Sequence, residues 1–231
     1  MVRSKVILLM KSVTFRRASQ AGFTLLEIIV VLGVIGALLA ALSPLAFSFI
    51  DDARETQAQN DVNQIATAIG SFLKSTGVPP YKNVNNSEKI PKKEAADYFC
   101  LYSSSGTVFS AASDATTDDS WSKCWSAVAN DRDTLENHLI KNTPGGQTSG
   151  SYLYRTTGRN KWEGPYLPSI NSDPWGNQYL ANIGQMDPSA ATPQAAWVIS
   201  AGPNGLLETA FTQNAAASIT ASGDDLIARV K

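Results

Sequence analysis

The chain has 231 residues, 43% of them hydrophobic and 17% charged, with a formal net charge of −1. That length accommodates one modest globular domain beside a membrane helix, and the slightly acidic balance gives no electrostatic basis for binding nucleic acid. There is one histidine, and no nucleophile elbow, phosphate-cradling glycine loop or metal-protease signature from which a catalytic centre could be built.

Residues 1–22 carry Arg3, Lys5, Lys11, Arg16 and Arg17 and no carboxylate. They precede residues 23–50, FTLLEIIVVLGVIGALLAALSPLAFSFI, whose first twenty-one positions are almost wholly apolar and hold one charge, Glu27. At about 1.5 Å per residue, some twenty such residues span a hydrocarbon core of roughly 30 Å. Basic residues ahead of the run hold the N-terminus on the cytoplasmic side. A secretory signal would place small residues for cleavage after the run. Here Asp51, Asp52, Arg54 and Glu55 follow it, and the small-residue junction, Gly22-Phe23, lies before it. A carboxylate inside an apolar helix is costly unless paired, so Glu27 calls for a partner.

The sequence G-F-T-L-L-E-I running into an unbroken apolar helix resembles the class III signal of type IV pilins and type II secretion pseudopilins. The resemblance implies that a prepilin peptidase cuts between Gly22 and Phe23, making residues 1–22 a leader, and N-methylates Phe23. It also implies that Glu27 acts in assembly, receiving the amine of a neighbouring subunit, with residues 23–50 forming the transmembrane and filament-core helix. Met10 offers a second start that would leave a shorter leader.

Pro44 removes one backbone donor, which predicts a kink rather than a stop. Beyond it, Val62, Ile65, Ile69 and Phe72 recur at three and four residues, with Ala66 and Leu73 beside them. This predicts one amphipathic helix whose stripe needs a sheet to cover it, ended by Gly77 and Pro79-Pro80.

Residues 81–160 start as polar loop, continue as SSSGTVFSAASDATTDDSWS, rich in Ser, Thr, Ala and Asp and read as exposed loop, and then offer a short helix in DRDTLENHLIKN presenting Leu135, Leu139 and Ile140. Within that helix His138, flanked by Glu136 and Asn137, reads as a surface residue. Cys100 and Cys124 fall in the same stretch. In an exported domain they form one disulfide, whose closed loop of about 24 residues contributes roughly 3 kcal/mol. Without a CxxC or a nearby His they do not read as metal ligands.

The C-terminal third contains WEGPYL (162–167), DPWGNQY (173–179) and SAGPNG (200–205). The second and third are turns by composition. Residues 178–183 and 196–200 read as strands, and Trp175 and Tyr179 are expected to pack down on the helix stripe. In this order the three blocks resemble the major pseudopilin of type II secretion. Against that family, residues 81–160 look like an insertion. The resemblance further implies a calcium site at Asn204, Asp224 and Asp225 with a backbone carbonyl near Ala201. Two carboxylates, an amide and carbonyls suit a hard cation. Asn204 stands where the family has an Asp, and Glu208 is a further candidate ligand.

These readings together predict an α+β chain with the type IV pilin fold: a long N-terminal helix on a small antiparallel sheet, with residues 51–231 as a periplasmic domain. The resemblance implies a non-enzymatic subunit, anchored once in the inner membrane. Its partners would be copies of itself in a pseudopilus, minor pseudopilins, the prepilin peptidase and the inner-membrane secretion platform. A type IV pilus subunit, or a periplasmic enzyme anchored by a pilin-like helix, are the alternatives.

Overall fold

The computed structural model describes residues 22–80, 100–108, 110–111, 121–124, 132–149, 153–186, 195–211 and 218–230. The expected leader, apart from Gly22, and most of the polar stretch 81–131 lie outside the described residues. The chain divides between Ser48 and Phe49 into two compact units. Helix α1 (Leu25–Thr76) begins in the first and ends in the second.

In the first unit α1 starts where Thr24 caps it. The Thr24 hydroxyl accepts the backbone N–H of Glu27 at 3.2 Å, satisfying a donor that the first helical turn leaves open. The spacing Thr24-x-x-Glu27 is that of a capping box. The helix runs on through Pro44 without interruption. Nearby hydroxyls bond back into it: Ser43 Oγ donates to Leu39 O at 2.7 Å and Ser48 Oγ to Leu45 O at 2.9 Å. Every described residue of this unit is exposed, including Leu32, Ile35, Leu39 and Leu42. Its helix is long and apolar enough to cross a membrane.

In the second unit α1 buries the stripe that the sequence spacing marks: Val62, Ile65, Ala66, Ile69 and Phe72, each 3% exposed or less. The helix stops at Gly77, whose φ of 72° places it in the left-handed region and lets its N–H reach Leu73 O at 2.8 Å.

The stripe faces a five-stranded sheet in the order β3-β1-β4-β5-β7, made of β1 (Cys100–Tyr102), β3 (Arg132–Thr134), β4 (Leu180–Ala181), β5 (Trp197–Ser200) and β7 (Leu226–Arg229). Its pairs are antiparallel except β1 with β3, which is parallel. A second two-stranded pair, β2 (Ser110–Ala111) with β6 (Leu206–Leu207), is parallel as well. The sheet is therefore mixed where the sequence reading expected it antiparallel. Parallel neighbours need a long connection, and in the sequence twenty-nine positions separate β1 from β3. The short helix in the middle region is α2 (Leu135–Leu139), directly after β3. The polar stretch is thus built into the domain at residues 100–102 and 132–139 rather than appended to it as loop.

Alternation along the strands divides the buried residues between two cores. Leu101, Ala181, Val198 and Ala228 meet the α1 stripe with Leu135, Leu139 and Tyr154. Their neighbours Cys100, Leu180, Trp197 and Ile199 point to the opposite face. That face is covered too, by Trp121, Cys124, Leu207 and Phe211. Cys100 and Cys124 are joined by a disulfide with their Cα atoms 5.4 Å apart. Trp121 sets its ring edge-on to Phe211 at 4.8 Å and donates its indole N–H to Thr209 O at 2.8 Å.

Candidate functional site

Two places carry the residues that the sequence singles out. The first is the start of α1. Phe23 and Glu27 are both exposed, and Gly22 has open space around it. The Glu27 backbone N–H is occupied by the Thr24 cap, and nothing in the cap geometry uses its carboxylate.

The second is a cluster of loops at the ends of β5, β6 and β7. Gly202 (φ 61°) and Gly205 (φ 69°) bend the chain after β5, and Gly205 N–H reaches back to Gly202 O at 3.4 Å. The loop before β7 folds onto this turn. Asn204 N–H donates to Asp224 Oδ2 at 2.9 Å, and the N–H groups of Glu208 and Thr209 both donate to Asp225 Oδ2, at 2.9 and 2.6 Å. The Asn204 amide is engaged on both ends: Oδ1 accepts Leu206 N–H at 2.6 Å and Nδ2 donates to Glu208 Oε2 at 3.1 Å. Gly223, at φ 62°, lies against the Glu208 carboxylate, so a side chain there would collide with it. Asn204, Glu208, Asp224 and Asp225 are therefore brought together. Ala201 is fully buried beside them, in the outer core.

Among the described residues, no cation forms an ion pair with these carboxylates. The Oδ1 atoms of Asp224 and Asp225 are buried without a hydrogen-bond partner. Burial pushes the Asp225 carboxyl above the usual range, against the lowering effect of its bonds from Thr209 and Glu208; the Glu208 charge adds to the rise. Orphaned carboxylate oxygens of this kind fit a bound hard cation. Among the described residues, no three His, Cys, Asp or Glu side chains are arranged to hold a metal. A cation held here would have to draw on Asp224, Asp225, the Asn204 amide oxygen and loop carbonyls.

The DPWGN turn supports this cluster, a role the sequence reading did not assign. Asp173 Oδ1 accepts the N–H groups of Trp175 (3.0 Å) and Asn177 (2.7 Å), and its Oδ2 accepts the Ser200 hydroxyl at 2.7 Å. Asn177 Nδ2 in turn lies 3.5 Å from Gly202 O. Burial raises the Asp173 carboxyl, opposed by these same bonds. Trp175 is half-buried and belongs to neither core, contrary to the expectation that it packs on the helix stripe. Gly176 (φ 91°) and the bonds to Asp173 fix the turn from its backbone, so the indole is not needed to hold it.

His138 also departs from expectation: it is fully buried. Its Nε2 lies 2.8 Å from Asp133 Oδ2 and its Nδ1 2.7 Å from the Tyr154 hydroxyl. Asp133 further accepts Thr134 N–H and the Asn137 amide at 2.7 Å each, and Gly145 N–H at 2.6 Å. Desolvation works against its ionisation, but the His138 bond and charge, then the bonds from Gly145 and Asn137, outweigh it and hold the carboxyl below the usual range. This arrangement of Asp, His and Tyr is enclosed and joins α2 to the core.

Residues 17–43 match the family described as the prokaryotic N-terminal methylation motif. The chain carries a prepilin-type methylation motif. It is also 40% identical over 57 residues to the type II secretion system core protein G of Pseudomonas aeruginosa. That match covers 25% of this chain and 40% of the length of the Pseudomonas protein. No solved structure matches significantly. The motif, the partial match, the long apolar N-terminal helix and the small mixed sheet support a pseudopilin-like assignment with an α+β, type IV pilin-like fold. They fit a pilin-like protein anchored in the inner membrane and point to a structural subunit.

Proposed function

We propose that this pseudopilin-like chain is the structural subunit of a type II secretion pseudopilus, supporting the export of folded proteins across the outer membrane. The observation that carries the reading is the apolar stretch that begins within the methylation motif and runs on past it, whose large side chains are all exposed. So much uncovered apolar surface requires lipid or other subunits around it. On this reading the peptidase cuts after Gly22, Phe23 becomes the methylated N-terminus, and the domain from residue 51 stands in the periplasm. The partners are further copies, minor pseudopilins and the inner-membrane platform.

Glu27 receives the new amine of the next subunit. The pairing relieves a lone charge in an apolar setting and fixes axial register. Calcium binds at Asn204, Asp224 and Asp225, with loop carbonyls near Ala201 and Glu208 close by; its charge offsets the two buried oxygens and ties the loop before β7 to the turn after β5. The domain performs no reaction: the Asp133–His138–Tyr154 arrangement is a buried brace.

N-terminal sequencing and mass spectrometry of the mature protein test this. Methylated Phe23 as first residue is the expected result, and any other N-terminus overturns it. Deletion of the gene separates the two filament types, since a secretion subunit abolishes enzyme export and a type IV pilus subunit abolishes twitching.

A further inference from the structure

Between β5 and β6 the chain turns at Gly202, and both backbone groups of Gly202 are held from one side. Its N–H donates to Ser200 Oγ at 3.3 Å, and the Ser200 hydroxyl donates to Asp173 Oδ2 at 2.7 Å. Its carbonyl faces Asn177 Nδ2 at 3.5 Å, and the Asn177 N–H donates to Asp173 Oδ1 at 2.7 Å. The two lines meet on one carboxylate. Asp173 and Ser200 are both buried, so water does not replace either bond when it is lost.

Gly202 is also where the loop before β7 comes close. A Cβ at this position would strike the carbonyl of Asp224 and crowd its side chain. Two residues on, Asn204 N–H donates to Asp224 Oδ2 at 2.9 Å. A shift of Gly202 therefore carries Asn204 and the carbonyls of residues 201–205 away from Asp224. Asp225 is unaffected by such a shift, because Glu208 and Thr209 hold it through their own N–H groups.

We infer that Asp173 is a positioning residue that decides which cation the loop takes: acting through Ser200 and Asn177, it sets the neutral oxygens of residues 201–205 against Asp224 and Asp225 and so favours calcium over magnesium. The inference rests on the calcium reading of this cluster. The preference follows from what each ion requires. Calcium takes about six to eight oxygens, so two carboxylates do not suffice and the Asn204 amide and loop carbonyls must contribute. Magnesium keeps several of its waters and needs roughly one or two carboxylates. A loosened turn costs calcium its neutral donors and leaves magnesium nearly as it was.

The test titrates the full chain, purified in detergent, with calcium and with magnesium by calorimetry. Asp173→Asn keeps the size of the side chain and removes its charge. Ser200→Ala keeps the charge and removes the hydroxyl that links it to Gly202. Each is expected to weaken calcium binding about tenfold, the usual effect of losing a group that orients a metal ligand, and magnesium binding far less. A pure charge effect acts on two divalent ions alike and cancels in the ratio of their Kd values. Tyr179→Phe loses its bond to Asp61 without touching Gly202, so it controls for general destabilisation and is expected to keep the wild-type ratio. If Asp173→Asn does not fold, Ser200→Ala decides alone. An unchanged ratio in Ser200→Ala, or an equal fall in Tyr179→Phe, would overturn the inference and leave the calcium reading standing. Absence of calcium binding by the unaltered chain would remove both.

Discussion

The Tyr179 hydroxyl donates to Asp61 Oδ2 at 2.9 Å across 118 residues of sequence. It joins the end of the DPWGNQY block to half-buried Asp61 on α1, while the ring is buried in the core against the α1 stripe. Burial first, then the Asp61 charge, pushes the phenol above its ordinary range, so it stays a donor at all physiological pH. Tyr179→Phe keeps the ring and removes the bond. It is expected to cost about 1.5–3 kcal/mol, the worth of a hydrogen bond to a charged group, with the fold intact by circular dichroism. Urea denaturation of the two proteins measures it.

The Cys100–Cys124 bridge holds Trp121 over the outer face of the sheet. Replacing both cysteines by serine is expected to cost about 3 kcal/mol from the released 24-residue loop. Non-reducing mass spectrometry of the exported protein checks the bond itself; two free thiols would contradict it.

Asp133 gives the domain an acid limit. Its carboxyl titrates below the reference value of 3.8, so its stabilising contribution is complete above that pH and is lost as pH falls through the lower, folded-state value. Asp133→Ala removes the carboxylate that faces His138 Nε2 and the Gly145 N–H, and is expected to cost on the order of 3 kcal/mol at neutral pH. The variant's stability should also fall less steeply at acid pH. Denaturant midpoints from pH 2 to pH 7 measure both effects.

Calcium is expected to raise the melting temperature of the protein, and Asp224→Ala to abolish the rise. Asp225 carries the complementary sign. Its carboxyl is raised by burial, so without a cation it favours the folded state only while protonated, and that contribution fades as pH rises through its folded-state value. The calcium-dependent gain should therefore be larger at neutral pH than near pH 4. Identical melting curves with calcium and with chelator would end the assignment.

Glu27→Leu is expected to leave membrane insertion unchanged and to reduce filament assembly. Its backbone N–H still reaches the Thr24 cap, so the start of α1 survives the change. Fractionation of membranes and sheared filaments separates the two effects, and wild-type incorporation of the variant would refute the role.

Several elements were legible in the residue order because their causes are local. The unbroken apolar run, the three-and-four spacing from Val62 to Phe72 and the stop at Gly77 each follow from backbone and side-chain physics within a turn or two. The two cysteines likewise sufficed to suggest their bond. The middle region was not legible in the same way. β1 and β3 have three residues each and carry no periodicity long enough to detect, yet they hold one side of the sheet. His138 looked superficial because its sequence neighbours are polar, whereas two of those neighbours, Asp133 and Asn137, turn inward to satisfy one another.

The sequence by itself determined which residues form the apolar spine, where its amphipathic continuation begins and ends, and that the chain carries a methylation motif. Only the tertiary structure decided that both faces of the sheet are covered, that the DPWGN turn supports the loop of Asn204, and that Asp224 and Asp225 meet that loop with two oxygens left over. The reason is physical. Period-two alternation marks two faces of a strand, but what lies against each face depends on residues tens of positions away. A carboxylate's need for a partner becomes visible only once folding has taken it out of water.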